Sequence, residues 1–439
     1  MTEKENKWIL QDEFTYVFWM NIGIEESWND ETFIPQIKTS PDQKEIIRDT
    51  EQLCLFLAKS NDVVILRKNP PQIVKDGLKT LSINNIQILI PSNNTGNISE
   101  DILEDGMIIT YLRKINENSN NKVKLVPYIT TEKEEMISLK TGCELVTPNS
   151  ALTYKLNSKI IARKIGEKLA LPLPYGKICC SVDQLERFLK RNYERNCLKK
   201  IVIKEPYGAS GKGLFLLEKE SDWKQCDLLI KRNKGKQSFR EIWVEQWYET
   251  KVDLNYQLYI GNDDEYSYIE PKQQINKGTQ FKGCQFPVRL TNEEKYELRN
   301  YAIKLVTTLN KIGYRGFVSI DSIITHEGII FPLIEINARL SLSTYLLKIL
   351  EQRIKNRIYR MVYFDVFYKD NWNKVKNYIY QNLYDTRRKK GIIPCMYSPA
   401  LSDKCKGRLF VLIVSESETD LDTFQNGISG AGIMDNLNV

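Results

Sequence analysis

Short apolar runs separated by polar stretches set the rhythm of the first third of the chain. Asp62-Val63-Val64-Ile65-Leu66 and Ile86-Gln87-Ile88-Leu89-Ile90-Pro91 are too short for helices, and they read as buried strands of a small parallel α/β unit. A turn cluster, Thr147-Pro148-Asn149-Ser150, marks a boundary. Residues 158–169 then have helical form, and Leu171-Pro172-Leu173-Pro174 ends that helix because proline cannot continue the backbone ladder. Next comes a strand, Lys200-Ile201-Val202-Ile203, which opens into a loop of small residues.

Further on, Thr291-Asn292-Glu293-Glu294 has the form of a capping box, with Leu298, Ala302, Leu305, Val306 and Leu309 at helical spacing behind it. Residues 317–325 and 329–337 flank His326-Glu327-Gly328 and predict a β-hairpin. The tail carries a basic cluster, Arg387-Arg388-Lys389-Lys390, and a strand signal over residues 409–414. Three domains are expected: residues 1–150 as an α/β unit, 151–350 as a central domain, and 351–439 as a small α+β extension.

Composition narrows the function classes. The 63 basic and 56 acidic residues leave a net charge of +7, a mild excess that suits an anionic ligand and falls short of a nucleic-acid binder's footprint, so no nucleic-acid partner is expected. Nine scattered cysteines without a C-x-x-C pair predict reduced thiols and a cytoplasmic protein. No basic leader and no run of roughly 18 apolar residues occurs, so neither a signal peptide nor a membrane partner is expected. The single histidine, His326, sits in the hairpin turn, which leaves Ser-His-Asp, Cys-His and His-metal chemistries without a partner.

Two segments carry candidate chemistry. Lys204-Glu205-Pro206-Tyr207-Gly208-Ala209-Ser210-Gly211-Lys212-Gly213 puts two lysines and three glycines directly after a strand, where successive N–H groups can cradle phosphate oxygens. It is not a Walker loop, since Pro206 and Gly213 stand where that motif needs glycine and Ser or Thr. In the hairpin, a turn centred near Glu327 sets Asp321 opposite Leu333, making Glu335 its diagonal neighbour, with Asn337 and Arg339 continuing the face. Two carboxylates and a carboxamide converging in largely apolar strands form a reasonable oxygen site for Mg²⁺, or Mn²⁺, and Arg339 suits an anionic phosphoryl group.

In this order and at this separation the segments resemble the ATP-grasp superfamily over about residues 157–345. The resemblance implies an N-terminal Rossmann-like pre-ATP-grasp domain, a two-lobed ATP-grasp domain, and ATP with Mg²⁺ as cofactors. It gives Lys159 and Lys204 phosphate-binding roles, and makes Gly208, Ala209, Ser210, Gly211 and Gly213 the loop that folds over the triphosphate. Glu245, Gln246 and Tyr248 fall in the strand that holds adenine, with Asp253 a candidate for the ribose hydroxyls. Asp321, Glu335 and Asn337 match the magnesium ligands. The third phosphate lysine is either Lys272 or Lys282. Softer similarity around residues 16–21, 335–344 and 394–397 resembles the natural-product peptide-ligase subgroup, of pheganomycin and butirosin type.

What this implies is a ligase that phosphorylates an amino-acid carboxylate and passes the acyl phosphate to an amine, a peptide or an acyl-carrier-protein thiol, for example L-glutamate to a carrier protein in antibiotic biosynthesis. Arg339, Lys204 and Ser210 are the candidate catalytic residues. The alternatives are a non-catalytic ATP-binding module of the same fold and a free-standing peptide ligase that needs no carrier.

Overall fold

The computed structural model describes residues 1–3, 11, 13–29, 32–36, 39–194, 200–208, 211–236, 239–262, 264–354, 356–367, 372–403 and 406–432. After a two-residue strand, β1 (Thr2–Glu3), five parallel strands follow: β2 (Thr15–Trp19), β3 (Val63–Ile65), β4 (Gln87–Leu89), β5 (Val123–Pro127) and β6 (Glu144–Leu145), in the order β4-β3-β2-β5-β6. Alternation along β2 feeds two cores. Val17 and Trp19 pack with Ile102, Leu112 and Ile137 from the crossover helices, while Tyr16, Phe18 and Met20 face the other way. Of the two strands expected to be buried, β3 is; β4 lies at the sheet edge, where Gln87 is exposed and Ile88 and Leu89 are only half-buried.

A second sheet holds β7 (Gly176–Cys179), β8 (Ile201–Lys204), β9 (Leu214–Leu217) and β10 (Ile242–Gln246), all antiparallel, in the order β7-β10-β8-β9. Its core takes Leu185 and Leu189 from the helix Val182–Glu194 and Cys226 and Ile230 from Glu220–Asn233. Phe33 and Ile34, from the segment that follows β2, insert into the same core.

The third and largest sheet contains β11 (Thr250–Ile260), β12 (Glu265–Lys277), β13 (Gln280–Phe286), β14 (Gly316–Thr325), β15 (Ile330–Asn337), β16 (Ile358–Val366), β17 (Gly391–Ser398) and β18 (Gly407–Ser415), ordered β15-β14-β11-β12-β13-β16-β18-β17, with β1 joined to the start of β12. One face is covered by the helix Asn292–Lys311. Thr291 caps it as expected, exchanging bonds with Glu294, and the helix's own Leu298, Ala302, Leu305, Val306 and Leu309 are all buried. The strand predicted over residues 409–414 is β18. β16 and β17 give no comparable signal because Arg360 and Asp365 interrupt one and Pro394 the other; proline is tolerated there because β17 is an edge strand with a bulge at that point. These tail strands continue the sheet and share a core with the N-terminal unit, where Phe18, Met20 and Phe56 meet Phe364, Phe410 and Leu412. Among the described residues no helix is long and apolar enough to cross a membrane.

Candidate active site

β14 and β15 form the predicted hairpin, closed by Gly328 N–H donating to the Thr325 carbonyl (3.0 Å) with Gly328 at φ 82°. His326 and Glu327 are exposed in the turn. The register then slips: Ile323 pairs with Phe331 but Asp321 pairs with Glu335, so Pro332, Leu333 and Ile334 stand against Ser322 alone. Pro332 has no N–H to give the ladder, and a bulge is where a strand accommodates that defect. Asp321 and Glu335 therefore face each other directly across the strands instead of lying on a diagonal.

Facing carboxylates repel, and the surroundings record it. Burial first, and Glu335 second, push the Asp321 carboxyl up to about 6, against hydrogen bonds from Asn255 and Gln274. Asp321 Oδ1 accepts from Asn255 Nδ2 (2.7 Å) and Gln274 Nε2 (2.8 Å), and Oδ2 from Asn337 Nδ2 (3.2 Å). Glu335 has Lys159 as its counter-ion, with Nζ 3.0 Å from Oε1. Among the described residues no cluster of three or more His, Cys, Asp or Glu side chains has metal-ligand geometry, so the oxygen set here is two carboxylates and one amide. A crowded acidic pair of this kind, balanced by the Lys159 ammonium and, less directly, by the Arg339 guanidinium, fits a hard divalent cation.

Lys159 joins this pair to the glycine loop. It opens the helix Lys159–Lys168, its N–H donates to the Pro206 carbonyl (2.8 Å), and its Nζ donates to the Gly208 carbonyl (2.8 Å). The loop links β8 to β9, with Glu205 N–H bonded to the Gly213 carbonyl at 2.8 Å. Gly208 (φ 141°) and Gly213 (φ 76°) admit no side chain: an added Cβ would come within 2.2 Å of the Lys212 carbonyl oxygen in the first and 2.9 Å of the Tyr207 carbonyl oxygen in the second. At Gly211 a Cβ would meet Thr279 Oγ1 at 2.5 Å, so the loop lies against the turn between β12 and β13. Ala209 and Ser210 lie outside the described residues.

Two other candidates are brought together at the end of β8. Lys204 forms a buried ion pair with Glu245, whose carboxylate also accepts from the Trp243 indole N–H. Arg163 lies over the Trp243 ring, 4.1 Å from its centre. The Gln246 N–H is taken by the Tyr175 carbonyl (2.8 Å), and the Tyr248 ring packs on Phe331 at 4.8 Å. Asp253 shares the Asn255 face of β11 and accepts from Asn276 Nδ2 (3.2 Å). Of the two lysines left open, Lys282 lies 3.7 Å from Asp365, whereas Lys272 is 2 % exposed, opposite Asn255, with an ammonium that has no hydrogen-bond partner; burial pulls its pKa down.

Arg339 is held from the N-terminal unit. Its Nε donates to Glu25 Oε1 (2.6 Å) and its Nη2 to Asn337 Oδ1 (3.0 Å), and its guanidinium lies 4.9 Å from the centre of the Tyr128 ring. Sequence reasoning missed Asn255, Gln274 and Glu25. The first had a signal, since Asn255 and Gln257 alternate with the buried Leu254, Tyr256 and Leu258; Glu25 had none, being 314 positions from its partner.

Residues 160–343 match the family model described as an ATP-grasp domain. Over 342 residues the chain is 26% identical to the [butirosin acyl-carrier protein]–L-glutamate ligase of Niallia circulans, covering 77% of this chain and 75% of that protein. The fold is similar to an ADP complex of N5-carboxyaminoimidazole ribonucleotide synthetase (TM-score 0.59, 12% identity, 95% of this chain and 96% of that one). It is also similar to a biotin carboxylase complex from Campylobacter jejuni (TM-score 0.55, 12% identity, 96% and 92%). With sequence and fold agreeing over the stretch that carries the hairpin and the glycine loop, residues 160–343 of the chain form an ATP-grasp domain.

Proposed function

We propose that the chain activates an amino-acid carboxylate as an acyl phosphate at the expense of ATP, and couples it to an amine or to a carrier-protein thiol. One observation carries the reading: a single ammonium, Lys159 Nζ, touches both the Gly208 carbonyl of the glycine loop and the Glu335 carboxylate of the hairpin, so the nucleotide-gripping and cation-holding elements meet at one point. In this mechanism Lys159, Lys204 and the loop amides offset triphosphate charge, and Asp321, Glu335 and Asn337 would hold Mg²⁺, which would supply further positive charge against the triphosphate. The substrate carboxylate oxygen forms a bond to the γ-phosphorus as the bond to ADP breaks. Arg339 steadies the acyl phosphate, and the amine or thiol then attacks the acyl carbon and expels phosphate. Lys272, buried and opposite Asn255, is the better candidate for the third anion-binding lysine.

The relative's carrier-protein acceptor and glutamate substrate support a natural-product role and a carrier thiol as acceptor. An ADP-release screen over the proteinogenic amino acids, with and without an acyl carrier protein, tests the reading: ADP should appear with a small subset of them. Glu335→Gln should cut that rate on the order of 10²- to 10³-fold with the fold retained. Unchanged turnover in this variant would remove the metal assignment.

A further inference from the structure

Open α/β sheets bind ligands beyond the carboxyl ends of their strands where the strand order reverses. In the order β4-β3-β2-β5-β6 that point lies between β2 and β5, and both strands lead to Arg339. After β2, the short turn Ile24–Trp28 delivers Glu25, buried to 6 % exposure, onto the guanidinium; after β5, Tyr128 lies beneath it. Glu25, Trp28 and Tyr207 line a small cavity whose other wall is Glu335, Asn337 and Arg339. Trp28 and Tyr207 meet edge to face at 5.6 Å. The space beside the acidic pair is thus bounded by one cation, one carboxylate that faces Arg339, and two aromatic rings.

We propose that Glu25 with Trp28 and Tyr207 forms an ammonium subsite, so that the molecule activated is a zwitterion whose amino group is free and protonated. This rests on the ligase reading for which carboxylate is phosphorylated. The substrate carboxylate takes the place of Glu25 at Arg339, and its ammonium takes the place of Arg339 at Glu25, so one buried ion pair becomes two. A carboxylate without an ammonium would leave Glu25 buried and unpaired, which is a penalty against that ligand built into the site. The Trp28 and Tyr207 rings that line the same cavity suit a cation. Held protonated, the substrate's own amine has no lone pair with which to attack the acyl phosphate.

The test uses four pairs of probes on the full chain: L-glutamate and glutarate, L-alanine and propionate, L-valine and isovalerate, L-phenylalanine and 3-phenylpropionate. ADP release gives kcat and KM, and calorimetry with MgADP present gives binding, for the wild type and for Glu25→Gln, which can still accept from Arg339. The wild type should favour the amino member of an accepted pair on the order of 10²-fold or more, mainly through KM. In Glu25→Gln that preference should fall below about tenfold while the KM for ATP stays unchanged. Equal loss toward both members of a pair would make Glu25 a mere tether and overturn the subsite, as would a wild type without preference. A wild type that turns over none of the proteinogenic amino acids, with or without an acyl carrier protein, would instead sink the ligase reading, and calorimetry would still decide Glu25: preferential binding of the amino members supports the subsite, and its absence contradicts it.

Discussion

At the residue scale, the site is a set of charges that balance one another before any ligand arrives. Lys159 neutralises Glu335, Lys204 neutralises Glu245, and Glu25 neutralises Arg339. Each of these cations can exchange its carboxylate for a phosphate or carboxylate of a ligand, provided the displaced carboxylate gains a cation from the ligand or its metal in return. A buried charge outside the site makes a separate prediction. Glu51 pairs with Arg67 at 2.5 Å, and burial pushes its carboxyl up to about 7 against the pull of that guanidinium. Between 4.5, its ordinary value, and 7 the folded protein keeps a proton that the unfolded chain has released, so this group's contribution to stability falls as pH rises through that window and is level above it. Urea melts of wild type and Glu51→Gln at pH 5 and pH 8 should show their stability difference drop on the order of 2 kcal/mol at the higher pH. A constant difference would contradict the raised value.

Among the elements, what the sequence announced was whatever local chemistry encodes. The capping box at Thr291 and the stripe from Leu298 to Leu309 define a helix without help from the rest of the chain, and His326-Glu327-Gly328 defines the hairpin turn. The register beyond the turn did not follow by counting, because the bulge opposite Ser322 adds two residues to β15 and turns a diagonal pair into a facing one. Glu25 was invisible for a different reason: its role exists only once β2 and β15 are brought together. In the glycine loop the two kinds of information separate experimentally. Gly213 and Gly235 both have positive φ, but a Cβ at Gly235 meets nothing, while one at Gly213 meets the Tyr207 carbonyl oxygen and Glu205 Cβ at 2.9 and 3.0 Å. Alanine at either position should lower stability by about 1 kcal/mol or more. Gly213→Ala alone should also raise the KM for ATP, by roughly tenfold; equal ATP kinetics in the two variants would argue that the loop does not grip the nucleotide.

Over the whole molecule, the tail is part of the architecture that carries the site. β16, β18 and β17 extend the sheet of the Asp321–Glu335 hairpin, and their side chains complete the core beneath Phe18 and Met20. Gln52 in the N-terminal unit bonds both the carbonyl and the N–H of Tyr397 in β17, at 3.1 and 3.0 Å. Ending the chain after Gln352 should therefore leave the N-terminal unit without its packing partner, seen as loss of a cooperative melt and rapid tryptic digestion. A truncated protein that melts and resists trypsin like the full chain would mean the two regions fold independently.

A carboxylate phosphorylated where Lys159 links the glycine loop to the Asp321–Glu335 pair would carry a reactive acyl group. Hydroxylamine captures such an acyl group directly. With ATP, Mg²⁺, the accepted amino acid and hydroxylamine, an amino-acid hydroxamate should form in step with ADP and inorganic phosphate, and Glu335→Gln should abolish it. Hydroxamate accompanied by AMP and pyrophosphate would contradict an acyl phosphate.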